Sequence, residues 1–127
     1  MIAVDTSALM AILLDEPEAD RCIAALETAS AMVISAGTIA EALIVADRRN
    51  VGEEMVRLID GLGFMVANVT PASARRIADA YARWGKGVHV AGLNFGDCFA
   101  YEAAREHTCP LLYVGNDFSQ TDIEAVP

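Results

Sequence analysis

Short, uninterrupted apolar runs alternate along this chain with longer stretches in which apolar residues recur three and four positions apart. Ile2–Val4, Met32–Ile34, Phe64–Val69 and Leu111–Val114 are runs of the first kind, with a weaker one across Ile123–Val126. Runs this short, with no polar face, predict strands buried on both sides. The longer stretches predict helices. Ala19, Cys22, Ile23 and Leu26 share one helical face after Pro17, and Ile39, Ala42, Leu43 and Ala46 share another. Ser35 or Thr38 opens that second helix, and Asn50 with Gly52 marks its end. A further helix spans about Glu53 to Asp60, closed by Gly61 and Gly63. Thr70-Pro71 pairs a capping hydroxyl with a proline at the first helical position, where its missing N–H does no harm. That helix runs to Trp84, before Gly85 and Gly87, and a last one runs from Cys98 to about His107.

Buried strands joined by helical crossovers imply a mostly parallel sheet covered on both faces. The expected architecture is a three-layer α/β/α sandwich with a central sheet of four to five strands, a single domain over residues 1–127. In open sheets of this kind ligands bind beyond the carboxyl ends of the strands. The acidic residues fall there. Asp5 follows the first strand, Glu41 lies on the helix entered after the second, and Asp117 follows the fourth. Asp97 opens the helix leading into that fourth strand, and joins the others if its helix starts at the same rim.

Composition adjusts this picture in three ways. The chain of 127 residues is 54% hydrophobic, yet no apolar run reaches the ~18 residues of a membrane span. The apolar start, Met1–Leu14, is broken by Asp5 and lacks a basic leader and a cleavage pattern, so a cytoplasmic protein away from membranes is expected. Three cysteines without C-x-x-C spacing and two histidines, His89 and His107, leave no zinc or triad pattern. Eighteen acidic residues against nine basic ones give a net charge of −9. That opposes nucleic-acid binding unless carboxylates are gathered around cations or a local basic strip compensates.

Four converging carboxylates repel one another, and a divalent ion relieves the repulsion while the charges remain. Hard oxygen donors suit Mg²⁺, or Mn²⁺, and the chemistry they imply is metal-assisted phosphodiester hydrolysis. Each acid also has a structural reading. Asp5 can cap the following helix, with Thr6 and Ser7 as rival caps, and Thr38-x-x-Glu41 fits a capping box. Asp97 after Gly96 suits an N-cap, and Asp117 suits a turn. Asp122 is expected to support its loop or cap a short final turn.

Four segments together resemble the motifs of the PIN-domain nucleases, and in particular their VapC-type toxin branch. These are Val4-Asp5-Thr6-Ser7-Ala8-Leu9, Ser35-Ala-Gly-Thr38-Ile-Ala-Glu41-Ala-Leu, Leu93-Asn94-Phe95-Gly96-Asp97-Cys98-Phe99-Ala100-Tyr101, and Leu111 to Ile123 with Gly115-Asn116-Asp117-Phe118 at its centre. They occur in order over nearly the whole chain. The resemblance implies a PIN fold, a homodimer, and Mg²⁺- or Mn²⁺-dependent endonucleolytic cleavage of RNA. It also implies an antitoxin protein that covers the acidic groove. By motif position Asp5 and Asp97 are the firmest metal ligands, Glu41 completes the shell or positions water or a second metal, and Asp117 is the fourth acid. Asn116 stands where many relatives have an acid, so one negative charge that a second metal site would use is missing. Thr6 and Ser7 are expected to orient the first aspartate.

Arg83-Trp84-Gly85-Lys86-Gly87-Val88-His89 combines charge, an aromatic ring and flexible glycines beside the third motif. Arg83 and Lys86 suit phosphate contacts, and Trp84 either stacks a base or fills the core. His89 is a further candidate, as a general acid. Two other classes fit parts of the pattern: a catalytically silent PIN-fold protein-binding module, and an acidic-pocket phosphatase or phosphoacceptor domain with Asp5 as nucleophile. The second lacks a D-x-D pair, and the only lysine, Lys86, lies well before the fourth strand.

Overall fold

The computed structural model describes residues 1–127. The apolar amino-terminal stretch divides at Asp5 into strand β1 (Ile2–Val4) and helix α1 (Thr6–Leu13). There follow α2 (Ala19–Thr28), β2 (Met32–Ser35), α3 (Ala36–Arg48), α4 (Gly52–Leu62) and β3 (Met65–Ala67). The chain continues through α5 (Pro71–Trp84), α6 (Phe95–Glu106) and β4 (Leu111–Leu112), then a 3₁₀ turn over Phe118–Gln120. The strands form one sheet in the order β3-β2-β1-β4, every neighbour parallel. A parallel sheet puts the carboxyl ends of all its strands at one rim.

Side chains alternate across the strands, and the alternation sorts the core into two layers. Ala3, Val33 and Leu111 pack on one face with Ile77, Trp84 and Tyr101 of α5 and α6. Val4, Ile34 and Leu112 pack on the other with Leu9, Cys22, Ala42 and Met55 of α1 to α4. The three-layer sandwich expected from the sequence is present. Cys22 and Cys98 are buried, Cys109 is partly buried, and all three are free thiols.

Local signals explain most boundaries. Ser35 caps α3 by accepting from the Gly37 amide, which leaves Glu41 nearly two turns inside the helix; the alternative capping box from Thr38 does not form. Gly63 closes α4 at a left-handed φ of 69°, a conformation that glycine adopts without steric cost. Thr70 and Ser73 form a reciprocal capping box under Pro71. Three expectations need correction. The run from Phe64 to Val69 shortens to β3 because this is an edge strand, with Met65 and Val66 each 46% exposed. The segment after residue 122 makes one parallel bridge, Leu111 to Ala125, in place of a fifth strand. Helix α6 begins at Phe95 under an Asn94 cap, one turn before Asp97.

Candidate active site

Asp5 sits where β1 ends and α1 begins, as the cap of α1. Its Oδ2 accepts from the Ser7 amide at 3.0 Å and from the Ser7 hydroxyl at 2.6 Å. Ser7 Oγ also accepts from the Val114 amide at 3.0 Å. One hydroxyl therefore joins the end of β1 to the loop leaving β4. Capping uses only Oδ2: Asp5 Oδ1 is buried and has no partner in the protein. A buried carboxylate oxygen left unpaired is costly, and that cost calls for a proton or a cation at this spot.

Asp97 was expected as the cap of α6. The cap is Asn94, whose side chain accepts from the Asp97 amide at 2.8 Å, while Asp97 Oδ2 accepts from the Asn94 amide at 3.0 Å. Asn94 is the residue that sequence reasoning missed, although Asn94-x-x-Asp97 has the spacing of a capping box. The box fixes the Asp97 backbone and one of its oxygens. Glu41 approaches from α3, and its Oε1 accepts from the Thr6 hydroxyl at 2.7 Å. Thr6 thus holds Glu41, whereas the expectation gave it to Asp5; Ser7 is the residue that orients Asp5. Asp117 is exposed at the start of the 3₁₀ turn and makes no side-chain cap.

Electrostatics ties these groups together. Burial pushes the Asp97 carboxyl up to about 7, against the lowering effect of the Asn94 amide, and the charges of Asp5, Asp117 and Glu41 raise it further. Burial likewise pushes Asp5 up to about 6, opposed by its Ser7 hydrogen bonds and reinforced by Glu41. All four sequence-predicted acids therefore share one electrostatic neighbourhood at the carboxyl rim of the sheet. Their grouping is loose: no three acidic, histidine or cysteine side chains stand together as a ready coordination cluster.

The remaining candidates lie to one side. Trp84 is 9% exposed within the core, and its Nε1 donates to the Tyr101 hydroxyl at 3.1 Å. Tyr101 in turn donates to Asp122 Oδ1 at 2.6 Å, and Arg83 and Arg105 flank Asp122 Oδ2 at 3.7 and 3.8 Å. The core reading of Trp84 is the one this geometry supports, and Asp122 ties the carboxyl-terminal segment to α6. Arg83 lies over the Trp84 ring, 4.6 Å from its centre. His89 Nδ1 accepts from the Ala91 amide at 3.0 Å and so shapes its own turn. Lys86 is exposed, and its amide donates to the Leu93 carbonyl, so the loop that carries it runs beside the start of α6.

Known proteins are similar to this chain in sequence and in architecture. Residues 2–124 match the PIN domain family. The ribonuclease VapC36 of Mycobacterium tuberculosis is 46% identical over 125 residues, covering 95% of this chain and 90% of its own. A crystal structure of VapC20 from the same organism, described as a sarcin–ricin loop cleaving toxin, superposes with a TM-score of 0.81 at 16% identity. That match covers 99% of this chain and 98% of the other. A toxin–antitoxin complex from Klebsiella pneumoniae superposes with a TM-score of 0.74 at 18% identity, covering 100% and 98% of the two chains.

Proposed function

The chain belongs to the PIN-domain family, and from that premise we propose that it is a divalent-metal-dependent endoribonuclease, the toxin of a toxin–antitoxin pair. The observation that carries this reading is Asp5 Oδ1, a buried carboxylate oxygen with no protein partner, in a neighbourhood where the charges of Asp5, Glu41 and Asp117 add to the effect of burial on Asp97. Asp5 and Asp97 are the principal ligands in this reading, with Glu41 and Asp117 completing the shell through oxygen or through water. When bound, Mg²⁺ or Mn²⁺ supplies Lewis-acid polarisation of a phosphodiester and an acidified water.

The chain's own residues set the geometry for that chemistry. Ser7 turns Asp5 so that Oδ2 faces α1 and Oδ1 stays free. The Asn94–Asp97 box anchors the second aspartate to the first turn of α6. RNA approaching an acidic protein needs local positive charge, and Arg75, Arg76, Arg83, Lys86 and Arg105 place five of the nine basic residues on α5, α6 and the loop between them. Arg76 is held by Glu102 and Glu106, and Arg83 and Arg105 flank Asp122. Of the two others, Arg75 and Lys86, it is Lys86 whose loop runs beside the start of α6, which makes it the best placed phosphate contact.

The antitoxin and a second copy of the chain are the protein partners in this reading. Beside Glu41 lies an apolar groove of about 310 Å³, lined by Ile44, Val45, Phe95 and Phe99, and Phe95 is 70% exposed. An apolar surface of this kind next to a charged site suits a protein that covers it. The purified chain should cleave RNA with Mg²⁺ or Mn²⁺ and stop in chelator, and Asp5→Asn and Asp97→Asn should each abolish cleavage while remaining folded. Full cleavage in chelator would defeat the metal mechanism. Folded, inactive wild-type protein that still binds its antitoxin would favour a silent binding module.

A further inference from the structure

We propose that Gly96 is a positioning residue for Glu41: its missing side chain is the notch that seats the Glu41 carboxylate against the first turn of α6. A Cβ built on Gly96 would overlap both carboxylate oxygens and the carboxyl carbon of Glu41. No backbone strain demands glycine here. Gly96 is helical, the second residue of α6, where alanine is the better helix former. The glycine therefore serves the space beside it.

The other side of the carboxylate is fixed as well, by the Thr6 hydroxyl on Oε1 at 2.7 Å. Glu41 is clasped between a hydroxyl from α1 and bare backbone of α6. A matching contact lies one helix away. Gly37, the second residue of α3, faces Phe99, and a Cβ there would overlap the phenyl ring. Each helix receives a side chain of the other in its first turn, one apolar and one charged. The pair of glycines sets how closely α3 approaches α6, and with it how closely Glu41 approaches Asp97.

Only the activity readout below depends on the ribonuclease reading; the placement of Glu41 does not. The test is a double-mutant cycle of Gly96→Ala and Glu41→Ala in the full chain, read by RNA cleavage in Mg²⁺ and by melting temperature in chelator. Gly96→Ala alone should lower kcat about 10–100-fold, the usual cost of disturbing a ligand's supporting partner. In the Glu41→Ala background, which has already lost a metal ligand, the same change is read by stability and should raise the melting temperature by about 2–4 °C, because only helix propensity remains. An equal fall of melting temperature in both backgrounds, or full activity in Gly96→Ala, would overturn the assignment. If Gly96→Ala fails to fold, rescue by Glu41→Ala supports the notch and absence of rescue overturns it. In metal-free protein the Glu41 carboxyl carbon resonance should shift in Gly96→Ala and Thr6→Val but not in Thr6→Ser. Wild-type protein that cleaves no RNA would remove the nuclease reading, and the melting cycle and the resonance would still decide the notch.

Discussion

The charge on Asp5, at the end of β1, makes the carboxyl of Asp97 in the first turn of α6 harder to ionise. Both acids bind a proton more tightly in the folded chain than at the ordinary value of 3.8, Asp5 titrating at about 6 and Asp97 at about 7. Their contribution to stability is therefore fully present below about pH 4 and is lost as pH rises through 6 to 7. For Asp5 the loss is at most about 3 kcal/mol. In chelator, wild-type protein should lose stability relative to Asp97→Asn as pH rises from 4 to 7.5, measured by urea unfolding at each pH. A constant difference between the two proteins across that range would show that folding does not raise the proton affinity of Asp97.

Divalent ions should reverse that loss. At pH 7.5, Mg²⁺ or Mn²⁺ at about 100 times its dissociation constant should stabilise the fold by about 2.7 kcal/mol through binding to the native state alone. Asp5→Asn should remove most of the gain. A melting temperature that ignores saturating metal would count against these acids as ligands.

Ser7→Ala removes the hydroxyl that links Asp5 Oδ2 to the Val114 amide. It leaves that amide without a partner, at a cost of about 1–3 kcal/mol. It also removes one of the two bonds that orient Asp5 Oδ2 and leaves only the residue 7 backbone amide, so cleavage should fall about 10–100-fold. Thermal unfolding and single-turnover cleavage report the two effects separately, and unchanged cleavage would mean that the Ser7 bond does not position Asp5.

Tyr101→Phe breaks the chain from Trp84 Nε1 through the tyrosine hydroxyl to Asp122. The buried indole N–H then lacks an acceptor, and stability should fall by about 1–3 kcal/mol in a urea titration followed by Trp84 fluorescence. The emission of Trp84, the only tryptophan, reads the same event from inside the core. Wild-type stability would show that the segment around Asp122 is held by other contacts.

Lys86→Ala should weaken RNA binding at low salt and leave kcat unchanged at saturating RNA. One lost phosphate contact reduces the slope of log affinity against log salt by about 0.7 for a single strand. An unchanged slope would place the RNA elsewhere.

The sheet and its rim were legible in the sequence because each depends on short-range pattern. Ile2–Val4 and Met32–Ile34 are apolar on both faces, and Thr70-Pro71 and Ser35 are local caps that work as their chemistry suggests. The position of Asp5, Glu41 and Asp117 near strand ends follows from parallel pairing alone. What local pattern did not reveal depends on partners far along the chain. Thr6 bonds Glu41 across thirty-five positions, and nothing adjacent to Thr6 announces it. Trp84 reads equally well as a binding ring or a core residue until Tyr101 is seen to accept from its N–H. The start of α6 was misplaced because Asp97 was read as a cap when it is the far half of a box begun by Asn94.

Strand β1 lies inside the sheet, between β2 and β4, and this order governs when the sheet can close during synthesis. Strand β1 has one flank covered once β2 has been made, but the other stays bare until Leu111 and Leu112 have left the ribosome. Asp117 emerges later still. A nascent or prematurely terminated chain ending before β4 lacks the neighbour that closes the sheet over β1 and the fourth acid of the rim.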